Sequence, residues 1–114
     1  APLQAVAAVA AMVNGGYMIT PTFLKRTEEE ARAKAVRVIK PETSEGMRYV
    51  MRLNAERGSA SRAAIAGFYV GGKTGTAEKV INGRYSKTKN LTTFTAVYPM
   101  DKPRYLFLTI IDEP

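Results

Sequence analysis

The chain has 114 residues, a formal net charge of +7, and neither cysteine nor histidine. That length suits one small domain. A hydrophobic content of 46% against 24% charged is the balance of a folded globular protein rather than a disordered one. Without Cys or His the chain alone can build no thiol nucleophile, no Ser-His-Asp triad and no Cys/His zinc site. Its acidic residues show no clustered metal-ligand spacing, so neither a metal nor a cofactor is expected. It opens at Ala1 rather than at methionine, as a segment of a longer protein would.

The first residues, APLQAVAAVAAMVNGG, predict a closely packed, buried helix stopped by Asn14-Gly15-Gly16. The apolar run Ala5 to Val13 is far short of the ~20 residues of a membrane span, and residues 1–4 do not read as the basic n-region of a signal peptide. YMITPTFLKR reads as extended chain broken at Pro21. TEEEARAKA reads as a short helix capped by Thr27, with glutamates in its first turn. VRVIKPE is a short strand ended by Pro41. TSEGMRYVMRLNAERG is a further helix, capped by Thr43 or Ser44 and closed by Gly58, with Met47, Val50, Met51 and Asn54 at helical spacing. SASRAAIAG adds a helical turn or two.

From Phe68 the pattern changes to β. FYVGGKTGTAEKVI meets Asn82-Gly83, the preferred two-residue hairpin turn. LTTFTAVYP alternates, and PMDKP is a turn. RYLFLTIIDEP is a nearly continuous apolar run, as expected of a strand covered on both faces. The plan is α+β, with helices packed on an antiparallel sheet in one domain over residues 1–114.

The positive charge is uneven. Residues 1–24 carry none, and Glu28, Glu29 and Glu30 offset half of the six basic residues from Lys25 to Lys40. The local excess is Lys73, Lys79, Arg84, Lys87 and Lys89 against Glu78. That stretch holds one aromatic residue, Tyr85, and is a poor stacking platform for bases. No nucleic-acid partner is expected, and the stretch reads as a solvated basic rim or an anion site.

GFYVGGKTGTAEK carries two signatures at once. Gly67 to Thr74 fits G-x-x-x-x-G-K-[ST], a phosphate loop in which Lys73 would reach the phosphates, Thr74 would bind Mg²⁺ and Asp112 would hold its water shell. Such a loop must follow a buried strand and open a helix. Here a helical turn precedes it, and β-branched residues with an Asn-Gly turn follow. The same letters from Lys73 read K-T-G-T, a substrate strand of serine acyl-transfer enzymes. A strand at a cleft edge offers backbone N–H and C=O groups to an extended peptide. Gly75 admits a close backbone, Lys73 brings charge, and Thr74 and Thr76 bring hydroxyls for a carboxylate.

On these residues the chain resembles the transpeptidase domain of penicillin-binding proteins, most closely the class B, division- or elongation-type enzymes. PLQAVAAVAAMVNGG looks like their P-L-Q helix ending in N-G-G, with Ala1 where Thr or Ser is usual. RVIKPETSEGMRYVM is similar to their I-s-P-e-T segment. RGSASRAAIAGFYVGGKTGTAEK resembles G-T-A-x-x-A running into G-K-T-G-T-A, with Ser59 for the usual Thr. FTAVYP and LTIIDEP resemble the two strands that follow, with F-T-A where F-V-G is common. Order and spacing agree over nearly the whole chain.

The resemblance implies a partial penicillin-binding/β-lactamase-like fold, and roles for the matched positions. Lys73 would sit beside the active-site serines and assist proton transfer. Thr74 and Thr76 would bind the terminal carboxylate of a D-Ala-D-Ala stem peptide, or of a β-lactam. The Thr76 N–H would form half of the oxyanion hole. Gly72 and Gly75 would let the strand lie close to its ligand. Of the family's three motifs only K-T-G is present: there is no Ser-x-Asn, and the one Ser-x-x-Lys, Ser86 to Lys89, follows K-T-G in a polar segment and reads as a decoy. The chain is therefore expected to be the C-terminal part of a transpeptidase domain, inactive alone, that needs the remainder of that domain as partner. Its parent would be anchored at the periplasmic face of the inner membrane. A non-catalytic carboxylate- or peptide-binding module of the same fold is the other reading. The apolar RYLFLTIID run predicts self-association of the isolated fragment.

Overall fold

The computed structural model describes all residues, Ala1–Pro114. The chain divides into two compact units, residues 1–50 and 51–114. Their elements are α1 (Pro2–Val13), β1 (Tyr17–Met18), α2 (Glu28–Ala33), β2 (Val36–Arg37), α3 (Pro41–Arg57), β3 (Gly71–Ile81), β4 (Arg84–Tyr98) and β5 (Tyr105–Asp112), with a 3₁₀ turn at Ser61–Ala63. No helix is long and apolar enough to cross a membrane.

In the first unit, Pro2 opens α1, where its missing N–H deprives no helical bond. Asn14 then builds the exit: its Oδ1 accepts from the N–H groups of Gly16 and Tyr17, and its Nδ2 donates to the Tyr17 carbonyl. Only Ala11 and Val13 of α1 are buried, and Leu3 and Met12 are exposed, so the helix is less covered than its composition predicts. Alanine favours the helical backbone but supplies little apolar area to bury. β1 pairs antiparallel with β2. Arg37 clamps this ribbon by donating to the carbonyls of Gly15 and Ile39 and to the Tyr17 hydroxyl, with its guanidinium 4.3 Å over the Tyr17 ring. Thr27 caps α2 as expected, its hydroxyl accepting from the Glu30 N–H.

α3 starts earlier than the Thr43 or Ser44 cap predicts, at Pro41. Proline's fixed φ suits a first helical position, which frees Ser44 for another task. Ser44 is fully buried, and its Oγ accepts from the Gly15 N–H at 2.9 Å and from Arg48, which also donates to the Val13 carbonyl. The buried stripe of α3 passes through Ser44, Met51 and Ala55, and Val50 is exposed. A buried polar anchor at Ser44 thus rotates the helix away from the stripe that hydrophobicity alone selects.

In the second unit β3, β4 and β5 form an antiparallel sheet in that order. Asn82 and Gly83 make the β3–β4 turn with φ of 52° and 75°, the double positive φ that a two-residue hairpin of matching twist demands. β4 begins at Arg84, well before the LTTFTAVYP segment that carries its alternation, because the hairpin extends pairing down to the turn. The core of this unit contains Met51, Ala55, Ala60, Val97 and Met100. Met100 is 1% exposed, and its N–H donates to the Tyr69 carbonyl at 2.7 Å. Truncating Met100 to alanine is expected to cost about 2–5 kcal/mol, measured as a fall in the midpoint of chemical unfolding.

β5 departs from expectation. Its apolar run predicts a strand covered on both faces, yet it is an edge strand with Tyr105, Phe107, Ile110 and Ile111 exposed and Leu106 and Leu108 half-buried. An apolar run reports the capacity to be covered, not the cover itself. Its end is tied down by Lys79, whose Nζ donates to Asp112 at 2.7 Å and Glu113 at 3.1 Å. Those hydrogen bonds, to Asp112 first and then Glu113, hold the Lys79 ammonium above its ordinary pKa of 10.5. A raised lysine pKa stabilises the fold below the unfolded value and loses that contribution as pH rises through the folded one. Lys79→Met is therefore expected to flatten the alkaline limb of a melting-temperature-against-pH profile, leaving it unchanged in shape near neutrality.

Candidate active-site strand

Lys73 to Thr76 lies within β3, on the outer side of the sheet, because β4 pairs with the other edge of β3 and nothing in the sheet pairs beyond it. The register opposes Lys73 to Thr95, Thr74 to Phe94, Gly75 to Thr93 and Thr76 to Thr92. Side chains alternate along a strand, so Thr74 and Thr76 leave one face while Lys73 and Gly75 leave the other. Backbone groups alternate too. The carbonyls of Gly72 and Thr74 are taken by side chains rather than by a neighbouring strand, Asn54 Nδ2 of α3 at 2.8 Å and Lys73 Nζ of β3 itself at 2.7 Å. Residues two apart in a strand direct their N–H and C=O groups the same way. The N–H and C=O of Thr76 therefore lie on this same outer edge.

Lys73 is exposed, and its ammonium curls back to the strand's edge through that bond to the Thr74 carbonyl. The positive charge, the Thr74 hydroxyl and the outward backbone groups of Thr74 and Thr76 thus share one border. Thr76 is exposed and Thr74 is half-buried. The Thr74 hydroxyl meets Ser59 Oγ at 3.0 Å. Ser59 stands just past α3, where its N–H donates to Asn54 Oδ1 at 3.0 Å. Asn54 is the residue that sequence reasoning assigned only to a helix face. An amide among apolar positions at helical spacing, five residues before a serine, was the available signal.

Gly72 and Gly75 have steric reasons of their own. A Cβ on Gly72 would sit 2.7 Å from the Thr95 carbonyl oxygen and 2.8 Å from Phe94 Cζ. A Cβ on Gly75 would sit 2.5 Å from Thr93 Oγ1. The phosphate-loop reading does not survive the geometry: Gly71–Ile81 is one continuous strand, so no helix N-terminus follows Lys73 and Thr74. Asp112, its magnesium-side acid, and Glu113 form the acidic pair at the end of β5, and Lys79 holds both. Ser86 Oγ accepts from the N–H groups of Thr88 and Lys89 within a bulged part of β4, a local turn bond far along the hairpin from Lys73.

The penicillin-binding protein transpeptidase domain matches residues 1–114, the whole chain. The chain belongs to the penicillin-binding transpeptidase family. It is 36% identical over 122 residues to stage V sporulation protein D of Bacillus subtilis, a match covering 99% of this chain and 19% of that protein. It is 37% identical over 122 residues to the probable peptidoglycan D,D-transpeptidase FtsI of Caulobacter vibrioides, covering 99% of this chain and 20% of that one. Its fold matches the apo transpeptidase domain of Burkholderia pseudomallei penicillin-binding protein 3 with a TM-score of 0.84 at 30% identity, over 97% of this chain and 34% of the other. These relatives are class B penicillin-binding proteins, and the α+β architecture is that of their transpeptidase domains. The chain spans about a fifth of the length of these two curated relatives.

Proposed function

We propose that this chain supplies the substrate-binding edge and half of the oxyanion hole of a serine-type peptidoglycan D,D-transpeptidase. The observation that carries the reading is the outer edge of β3, where K-T-G-T presents a lysine ammonium beside outward backbone groups of Thr74 and Thr76. An extended stem peptide ending in D-Ala-D-Ala adds to that edge as a further strand. Its terminal carboxylate accepts from the hydroxyls of Thr74 and Thr76. The Thr76 N–H donates to the carbonyl oxygen under attack, where charge grows in the tetrahedral transition state. Lys73 adds a positive charge that favours the same anion and assists proton transfer near the nucleophile.

The nucleophilic serine comes from the remainder of the transpeptidase domain, so residues 1–114 alone are inactive. Attack by that serine forms an ester with the penultimate D-Ala and releases the terminal D-Ala. A neighbouring stem-peptide amine then takes the acyl group, making the cross-link. A β-lactam follows the first step and stops there. The parent acts at the periplasmic face of the inner membrane, where its substrate lies.

Labelled penicillin tests the reading. The full-length protein is expected to carry one covalent adduct, mapping outside residues 1–114, and the isolated segment none. An adduct on Ser86 of the isolated segment, or no adduct on the full-length protein, overturns it. The exposed β5 edge further supports self-association of the isolated segment. Light scattering at rising concentration is expected to show species above the monomer, and a monomer throughout contradicts this.

A further inference from the structure

We propose that Asn54 and Ser59 are positioning residues that set the Thr74 hydroxyl as a donor toward a bound carboxylate. The inference rests on the carboxylate reading of the K-T-G-T strand and adds to it a specificity element outside the motif.

Asn54 is saturated in a particular way. One Nδ2 hydrogen goes to the Gly72 carbonyl at 2.8 Å, and the other reaches Ser59 Oγ at 3.3 Å. Its Oδ1 accepts from the Ser59 N–H at 3.0 Å. These contacts fix which end of the amide faces which partner: only nitrogen can serve the Gly72 carbonyl, and only oxygen can serve the Ser59 N–H. Ser59 Oγ then lies 3.0 Å from Thr74 Oγ1.

A hydroxyl both donates and accepts, so this row of groups has two directions. In one, Thr74 donates to Ser59, and Ser59 Oγ donates to Asn54 Oδ1 at 3.4 Å. In the other, Asn54 Nδ2 donates to Ser59, Ser59 donates to Thr74, and the Thr74 proton is free to point away. An anion at the outer edge of β3 selects the second direction, because only that one offers it a donor. Each bond in such a row polarises the next, and a donor into a charged acceptor is the strong case. Ester or amide groups in place of the carboxylate gain less from it. The row therefore discriminates a terminal carboxylate from its neutral analogues. The bond to the Gly72 carbonyl also closes that end of the edge, so an added strand pairs from the Thr74 N–H onward, the Thr74 carbonyl being held by Lys73.

The test uses the full-length protein that carries this chain, acylated by a β-lactam with a free carboxylate and by the methyl ester of the same compound. The quantity read is the ratio of the two acylation rate constants. Ser59→Ala breaks the row and is expected to lower the ratio about fivefold, the weight of one neutral hydrogen bond. Asn54→Asp keeps the size and the acceptor for the Ser59 N–H but cannot donate, and the ratio is expected to fall at least as far. Ser59→Thr keeps the hydroxyl and is expected to hold the wild-type ratio. A wild-type ratio in Ser59→Ala overturns the proposal, as does a Ser59→Thr ratio as low as that of Ser59→Ala. Failure of the underlying reading looks different: the wild-type protein itself would then show no preference for the carboxylate.

Discussion

Replacing Lys73 by methionine is expected to slow acylation of the full-length protein by a β-lactam about 100- to 1000-fold, with no change in melting temperature. The two halves of that expectation have separate grounds. Lys73 is exposed, and its one side-chain hydrogen bond runs to the carbonyl of the next residue, so its removal opens no cavity and strands no buried partner. Its charge, however, sits on the outer edge of β3, beside the groups that would meet an oxyanion and a carboxylate. Removing a positioned donor or charge from such a site typically costs two to three orders of magnitude. Lys73→Arg separates the two tasks: arginine keeps the charge but cannot deprotonate in a protein. Recovery with arginine marks Lys73 as an electrostatic group alone, and failure with arginine adds the proton-transfer role. A Lys73→Met protein that acylates at the wild-type rate removes Lys73 from the mechanism.

The hairpin was the most legible part of the fold, for a local reason. Asn82-Gly83 fills a turn that needs positive φ at both positions, and few other residue pairs do so without strain. Thr27 before three glutamates was equally local, since cap and charge act within one helical turn. Elements whose outcome depended on distant partners were less legible. Pro41 and Ser44 both suit a helix start, and what separates them is the long-range bond between Ser44 and the Gly15 N–H. The β5 run announced apolarity but could not report that its faces stand exposed.

The candidate site shows the same division. Lys73, Thr74, Gly75 and Thr76 are contiguous, so their common strand was readable from letters and spacing. Asn54 and Ser59 lie 18 and 15 residues away from the groups they hold, in contacts that only the packed chain makes. Ser59 had been marked by its departure from the usual threonine, and that departure keeps the hydroxyl on which the contact depends. Asn54 carried no mark beyond being polar on a helix face.

The two glycines of the strand separate sheet packing from ligand approach. Gly72→Ala is expected to destabilise the fold by about 1–3 kcal/mol. Its new methyl would face a backbone oxygen, that of Thr95, 2.7 Å away, and a backbone in the middle of a sheet cannot step aside. Gly75→Ala meets only Thr93 near that distance, and what it meets is a side-chain hydroxyl. Rotation of Thr93 relieves that contact, at the loss of its 3.4 Å bond to the Gly75 carbonyl. Gly75→Ala is therefore expected to melt closer to the wild type, and the pair Gly75→Ala with Thr93→Ala closer still. Any fall in acylation that persists in the double variant then belongs to the ligand side of the strand, where the methyl stands between β3 and an approaching backbone. Restoration of full acylation by Thr93→Ala leads to the opposite conclusion, that Gly75 serves the β3–β4 pairing alone. Gly72→Ala offers no such rescue through Phe94, because shrinking that ring leaves the Thr95 oxygen where it is.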